Sequence, residues 1–273
     1  MRTAQGPTRL LWTGGWDSTF RLLQLLLVER RSVQPYYVIE GARRASSAEQ
    51  TAMRNIRELL RTSHPAASAR LQETIEVPLD EIAADAHIFS NYEKALHFAF
   101  IGGQYEWLAR MCAQRGLTDM EHAIHRDDKA RELLAELIDA SRRQLDSRFA
   151  GDARYELFQY FRFPLFDMTK QQMRSAARKA GFEDFMALTW FCHRPRAGQP
   201  CGVCNPCIYT IEEGLADRVP RAGRIRYRLR VLPRLRRFLT RHPGLYVRVR
   251  FVYRKLRALK QRAASHARSS PAP

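Results

Sequence analysis

The sequence predicts an α/β fold: a doubly wound, parallel, five-stranded sheet with helices on both faces, followed by a cysteine-bearing element and a basic helical tail. Three observations carry this reading. Short apolar runs alternate with stretches of helical period from residue 9 to residue 181, the pattern of parallel strands joined by crossover helices. The first run ends in Thr13-Gly14-Gly15 and opens directly into a helix. Four of the five cysteines fall between Cys192 and Cys207.

Arg9 to Trp12 is the first strand, stopped by the twin glycines. Ser18 to Glu29 is a helix, because Leu22, Leu23, Leu26 and Leu27 recur at helical spacing. Pro35 to Ile39 is the second strand. Ser47 to Leu60 is helical, with Met53, Ile56, Leu59 and Leu60 on one side. Thr74 to Val77 is the third strand. Gly103 to Arg115 forms a helix that Gly116 closes. Glu121 to Ile124 is the fourth strand, Asp127 to Leu145 a further helix, and Phe158 to Phe163 the fifth strand. Thr169 with Gln172 has the pattern of a capping box, and Gly181 ends that helix. Cys112 lies on an apolar helix face and reads as a small core residue.

The chain of 273 residues carries a net charge of +18, but the charge is not spread evenly. From Arg218 onward there are 18 basic residues and no acidic ones, which leaves residues 1–217 with 28 of each. A neutral body, 1–217, therefore carries a basic arm, 218–273. No apolar run approaches the roughly 18–20 residues of a spanning helix. The first residues also lack a signal-peptide pattern, so a cytoplasmic protein is expected.

Glycines at 14 and 15 permit a backbone turn that side chains would block. The helix that follows presents free N–H groups and the positive end of its dipole, which together favour an anion. Ser18 and Thr19 add hydroxyl donors. No Lys follows in the manner of GxxxxGK[ST], so the turn is not a Walker A loop. The cysteines are spaced Cys192-x8-Cys201-x2-Cys204-x2-Cys207. Four thiolates bind Zn²⁺ tetrahedrally and leave no open position, so the site predicted within 188–210 is structural. Thiolates alone also suit an iron–sulfur cluster.

Thr13-Gly14-Gly15-Trp16-Asp17-Ser18 resembles the SGGxDS signature of the PP-loop ATP pyrophosphatases, with Thr for the first Ser. Phe163-Pro164-Leu165-Phe166-Asp167-Met168-Thr169-Lys170, Leu188-Thr189-Trp190-Phe191-Cys192 and Cys201-Gly202-Val203-Cys204-Asn205-Pro206-Cys207 are similar to stretches of the 7-cyano-7-deazaguanine synthase family. The resemblance spans roughly Thr8 to Leu215. It implies the Rossmann-like HUP fold of the adenine nucleotide α-hydrolase superfamily, with ATP, Mg²⁺ and Zn²⁺ as cofactors. It also implies an ATP-dependent ligase activity: adenylation of a carboxylate or carbonyl, loss of pyrophosphate, then attack by ammonia or an amine. ATP would lie against Trp12, Thr13, Gly14, Gly15, Trp16, Asp17, Ser18 and Thr19, and the metal ligands are Cys192, Cys201, Cys204 and Cys207. Asp17, Ser18 and His125 are the candidate catalytic residues, Asp17 to hold metal or loop and His125 to move a proton.

Where the family has a PGRN-type stretch, this chain has Ile101-Gly102-Gly103-Gln104-Tyr105-Glu106-Trp107. Where it has a GxNxxD segment, this chain has His122-Ala123-Ile124-His125-Arg126-Asp127-Asp128. The nucleotide and zinc parts carry over and the substrate-reading parts do not. The crevice beyond the strand ends offers Arg43, Arg44, Gln104, Tyr105, Arg126 and Asp127 as substrate contacts.

In the arm, Arg224 to Arg230 alternates basic and apolar, and Leu245, Val249, Val252, Leu256 and Leu259 recur at helical spacing. A basic amphipathic arm suits RNA, an anionic membrane surface or an acidic protein. The reading thus has three forms: a ligase acting on a small-molecule or macromolecular carbonyl substrate, a PP-loop enzyme that modifies tRNA with the arm as anchor, and a nucleotide-binding regulator without chemistry. Each is compatible with a homo-oligomer.

Overall fold

The structure is a computed structural model that describes residues 6–41, 45–99, 101–139 and 141–230. Strand β1 (Thr8–Leu11) leads to helix α1 (Trp16–Leu23), which runs on as a π-helical turn, Gln24–Val28. Then come β2 (Val33–Ile39), α2 (Ser46–Ser63), α3 (Pro65–Ser68), β3 (Ile75–Pro78), α4 (Ala86–Ala95) and α5 (Gln104–Gln114). β4 (Met120–Glu121), α6 (Lys129–Leu134), β5 (Ile138–Asp139), β6 (Gln144–Leu145), α7 (Ala153–Phe158) and β7 (Phe161–Arg162) complete the sheet. α8 (Lys170–Lys179), α9 (Glu183–Ala187), α10 (Asn205–Glu212) and α11 (Arg221–Arg230) follow.

The sheet is mostly parallel and has seven strands in the order β3-β2-β1-β4-β7-β6-β5. The five expected strands correspond to β1, β2, β3, β4 and β7, which pair in parallel. β6 and β5 extend the sheet antiparallel beside β7. The expectation of a five-stranded sheet is corrected here, and so is the single helix over 127–145 that hid the two extra strands. Asp128 caps α6 by accepting from the N–H of Ala130 at 2.9 Å, but the helix ends at Leu134. Asp139 then accepts from Ser141 N and from Ser141 Oγ, and Arg143 takes a positive φ of 54°. Side-chain bonds to the backbone compete with helix continuation at such a point. The aromatic run 158–163 is divided too. Asp152 caps a helix that takes Phe158, and only Phe161 and Arg162 pair as strand.

Period-two alternation sends neighbouring strand residues to opposite faces. Leu11, Tyr36, Val38 and Val77 pack with Ile88, Tyr105, Leu108 and Leu157 from α4, α5 and α7. Leu10, Trp12 and Tyr37 pack on the other face with Phe20, Met53, Ile56 and Met173 from α1, α2 and α8. Both faces are thus covered, as the apolar pattern required. Cys112 is fully buried in the first cluster, where burial pushes its thiol up to about 12.

Arg21 of α1 crosses to Glu121 of β4 through two parallel bonds of 2.6 and 2.8 Å and also meets Glu29. Both Arg21 and Glu121 are buried. Because the chain runs from β1 to β2 on one side and from β4 toward β7 on the other, the connections that follow β1 and β4 leave in opposite directions. A crevice therefore opens beyond the carboxyl ends of β1 and β4. The glycine turn follows β1 there, and residues 122–128 follow β4.

The chain divides into two compact units after Pro220. The second is described by α11, which holds Arg224 to Arg230 in a helix. The apolar spacing at 245–259 lies outside the described residues. No helix among the described residues is long and apolar enough to cross a membrane.

Candidate active site at the glycine turn

The turn is built by close approach. Gly14 adopts a φ of 68°, and a Cβ there would lie 2.9 Å from the carbonyl oxygen of Glu49 in α2. Gly15 is the N-cap of α1 and has no side-chain cap. The Ser18 hydroxyl takes the N–H of Thr13 at 3.4 Å, so the turn is bonded across its own mouth. Trp12 and Thr19, both expected beside the nucleotide, turn their side chains into the core. There the Trp12 indole donates to Thr19 Oγ1 at 3.0 Å.

Asp17, in the first turn of α1, collects the charge of the site. Its Oδ1 lies 3.3 Å from His125 Nε2 and its Oδ2 lies 3.6 Å from Lys170 Nζ. Lys170 also pairs with Glu213 at 2.6 Å. Burial works against the ammonium of Lys170, yet the charges of Asp17 and Glu213 hold its pKa above the ordinary lysine range. Asp128 completes the group. Burial raises its carboxyl, against bonding from Ala130 N–H and attraction from His125. His125 is buried, and its Nδ1 has no hydrogen-bond partner among the described residues. Oδ1 of Asp17 likewise accepts no hydrogen bond.

The cysteine cluster sits against the same turn. The Sγ atoms of Cys192, Cys201, Cys204 and Cys207 all lie within 4.8 Å of one another, and all four residues are buried. Two pairs, Cys192–Cys204 and Cys201–Cys207, are 3.9 Å apart. A tetrahedral Zn²⁺ with bonds of ~2.3 Å sets its sulfurs about 3.8 Å apart, so the set is compatible with zinc. Backbone N–H groups point at the sulfurs: Arg194 and Cys201 donate to Cys192, and Val203 and Cys204 to Cys201. The backbone N–H of Trp190 donates to the Gly14 carbonyl at 2.9 Å and joins the two motifs.

Between them lies a cavity of about 240 Å³. Thr13, Gly15, Trp16 and Asp17 line one side, Trp190 and Phe191 another, with Lys170 and Arg218 completing the wall. A cleft of about 260 Å³ elsewhere is lined by Asp139 and Asp146, whose carboxylates are already taken by Ser141 and Arg148. It offers no comparable set of unspent groups.

Compared with models of protein families and with curated proteins, the chain matches none.

The remaining expected contacts are dispersed. Arg43 and Arg44 lie outside the described residues. Gln104, Arg126 and Asp127 are exposed, and none of them lines the cavity. Tyr105 is buried in the core, against Phe158 and the ring of His122. Sequence reasoning missed Lys170, Glu213 and Arg218 as site residues. Lys170 carried a signal, since it stands inside the stretch 163–170 that supported the resemblance. Glu213 and Arg218 had none, because their placement depends on how α10 and the turn after it fold back.

Proposed function

We propose that this protein is an ATP-dependent ligase-like enzyme of the 7-cyano-7-deazaguanine synthase type. It would adenylate a carboxylate or carbonyl with release of pyrophosphate and deliver the activated carbon to ammonia or an amine. The observation that carries the reading is the single cavity on which the glycine turn, Lys170 and the cysteine element converge.

The fit with a phosphate chain rests on charge and donors. The first N–H groups of α1 follow the turn without a side-chain cap, and Lys170 stands beside them. The fit with Mg²⁺ rests on Asp17, which lines the cavity and whose Oδ1 accepts no hydrogen bond. When bound, Mg²⁺ supplies neutralisation of charge on the leaving pyrophosphate. The chain's own residues orient and move protons. Lys170 holds Asp17 in place. His125 does not line the cavity; its Nε2 stands 3.3 Å from Asp17 Oδ1, so it would take a proton relayed through that carboxylate. The cysteine element fixes Trp190 and so the turn itself.

ATP–pyrophosphate exchange on the full chain tests the reading, with 7-carboxy-7-deazaguanine, other carboxylates and RNA as candidate substrates. Asp17→Ala abolishes exchange in this reading, while Cys204→Ser lowers zinc content and exchange together. Exchange triggered by RNA alone would move the protein to the tRNA-modifying class. Absence of any ATP affinity across magnesium concentrations would remove the enzymatic reading.

A further inference from the structure

Arg218 stands at the edge of the basic arm in the sequence, but its side chain belongs to the cavity. Its guanidinium carbon lies 4.8 Å from the ring centre of Trp16 and 5.0 Å from that of Phe191. One N–H group, on Nη2, donates to the Thr189 carbonyl at 2.6 Å. A guanidinium has five N–H donors, and this is its one hydrogen bond among the described residues. No carboxylate among those residues comes within ion-pair reach of it. The other long cation on the wall differs, because Lys170 is matched by Glu213 and Asp17. Burial accordingly pushes the Arg218 pKa down to about 10, with only partial relief from Asp217 and Asp17.

A partly desolvated cation with unspent donors is costly unless something meets it. Aromatic rings compensate in part. They also restrict the guanidinium plane, which is the preparation a fork of parallel N–H donors needs. We propose that Arg218 is the oxyanion-receiving residue of this cavity, held by Trp16 and Phe191 for bidentate contact with a phosphate or carboxylate group. Reception of an oxyanion stands on the cavity alone. Assigning that oxyanion to the pyrophosphate or to the acid of an adenylation rests on the function proposed above.

Isothermal titration of the full chain with inorganic pyrophosphate, and separately with benzoate, distinguishes the two sources. Wild type is expected to bind at least one of them. Arg218→Met is expected to weaken that binding tenfold or more, and Arg218→Lys to restore little of it, because an ammonium cannot make the fork. Phenylglyoxal labelling of wild type, read by mass spectrometry, covers the case in which Arg218→Met does not fold: the bound oxyanion should slow modification of Arg218. Equal affinity in wild type and Arg218→Met overturns the proposal, as does failure of wild type to bind either probe. A labelling rate that neither probe changes does the same. ATP binding undiminished in Arg218→Met would sink Arg218 and leave the ligase reading intact. Arg218-dependent oxyanion binding without ATP affinity would do the reverse.

Discussion

The backbone N–H of Trp190 donates to the carbonyl of Gly14 at 2.9 Å, two residues before the first cysteine of the cluster. A metal held by the four cysteines would therefore be linked to the shape of the glycine turn through one short piece of backbone. On the function proposed above, removing the metal with a chelator should lower the thermal midpoint and weaken ATP binding about tenfold, or ~1.4 kcal/mol. Calorimetry on the chelated and metal-reloaded full chain checks this. An ATP affinity indifferent to the metal would show that the link transmits nothing.

Gly14→Ala and Gly116→Ala separate strain from collision. Both glycines have positive φ, 68° and 59°, but a Cβ at Gly116 meets nothing within 4 Å, whereas at Gly14 it meets the Glu49 carbonyl at 2.9 Å. The left-handed backbone alone costs ~1–2 kcal/mol. Gly116→Ala should lose about that much, and Gly14→Ala a further ~1–3 kcal/mol from overpacking. Denaturant unfolding of the two variants gives the difference, and equal losses would contradict the close approach of α2.

Arg21 and Glu121 are buried partners that neither can leave alone. Arg21→Met or Glu121→Met should each destabilise by ~3–5 kcal/mol, because an uncompensated group stays inside. Arg21→Met combined with Glu121→Met should recover much of that loss. A double variant as unstable as the sum of the two singles would mean that the pair is not coupled.

The ring of His122 lies between Tyr105 and Phe161, with centroids 5.6 Å from each. Burial there lowers its pKa to about 4 from 6.5. Between those values the unfolded chain binds a proton at His122 that the folded chain does not. Its contribution to stability is therefore complete above pH 6.5 and is lost as the pH falls toward 4. His122→Phe keeps the ring packing and should flatten that part of the profile relative to wild type. Stability curves of the two proteins measured from pH 4 to 7.5 test this, and parallel curves would contradict the assignment.

The parts of the fold that follow from local pattern were legible. β1 to β3 read from apolar runs, the turn from Gly14 and Gly15, and the capping box from Thr169 and Gln172, whose reciprocal bonds are 2.8 and 3.1 Å. The cysteine spacing announced a cluster, and the four sulfurs meet. What depended on distant partners was not legible. The β5–β6 pair exists because Asp139 draws backbone N–H groups to itself, an effect that helical period does not register. Arg218 was counted with the arm because charge in a sequence carries no direction. Lys170 and Glu213 are 43 residues apart, and nothing local says that they meet. The turn was visible early, but the wall facing it had to be assembled by the fold.

Both margins of the sheet are short. On one side β5 has two residues, and on the other β3 has four, ending at Pro78, which has no N–H to give. An intruding chain finds too few open donors and acceptors on either side to lay down a lasting rung. Short margins of this kind give a second copy little edge on which to pair strand to strand.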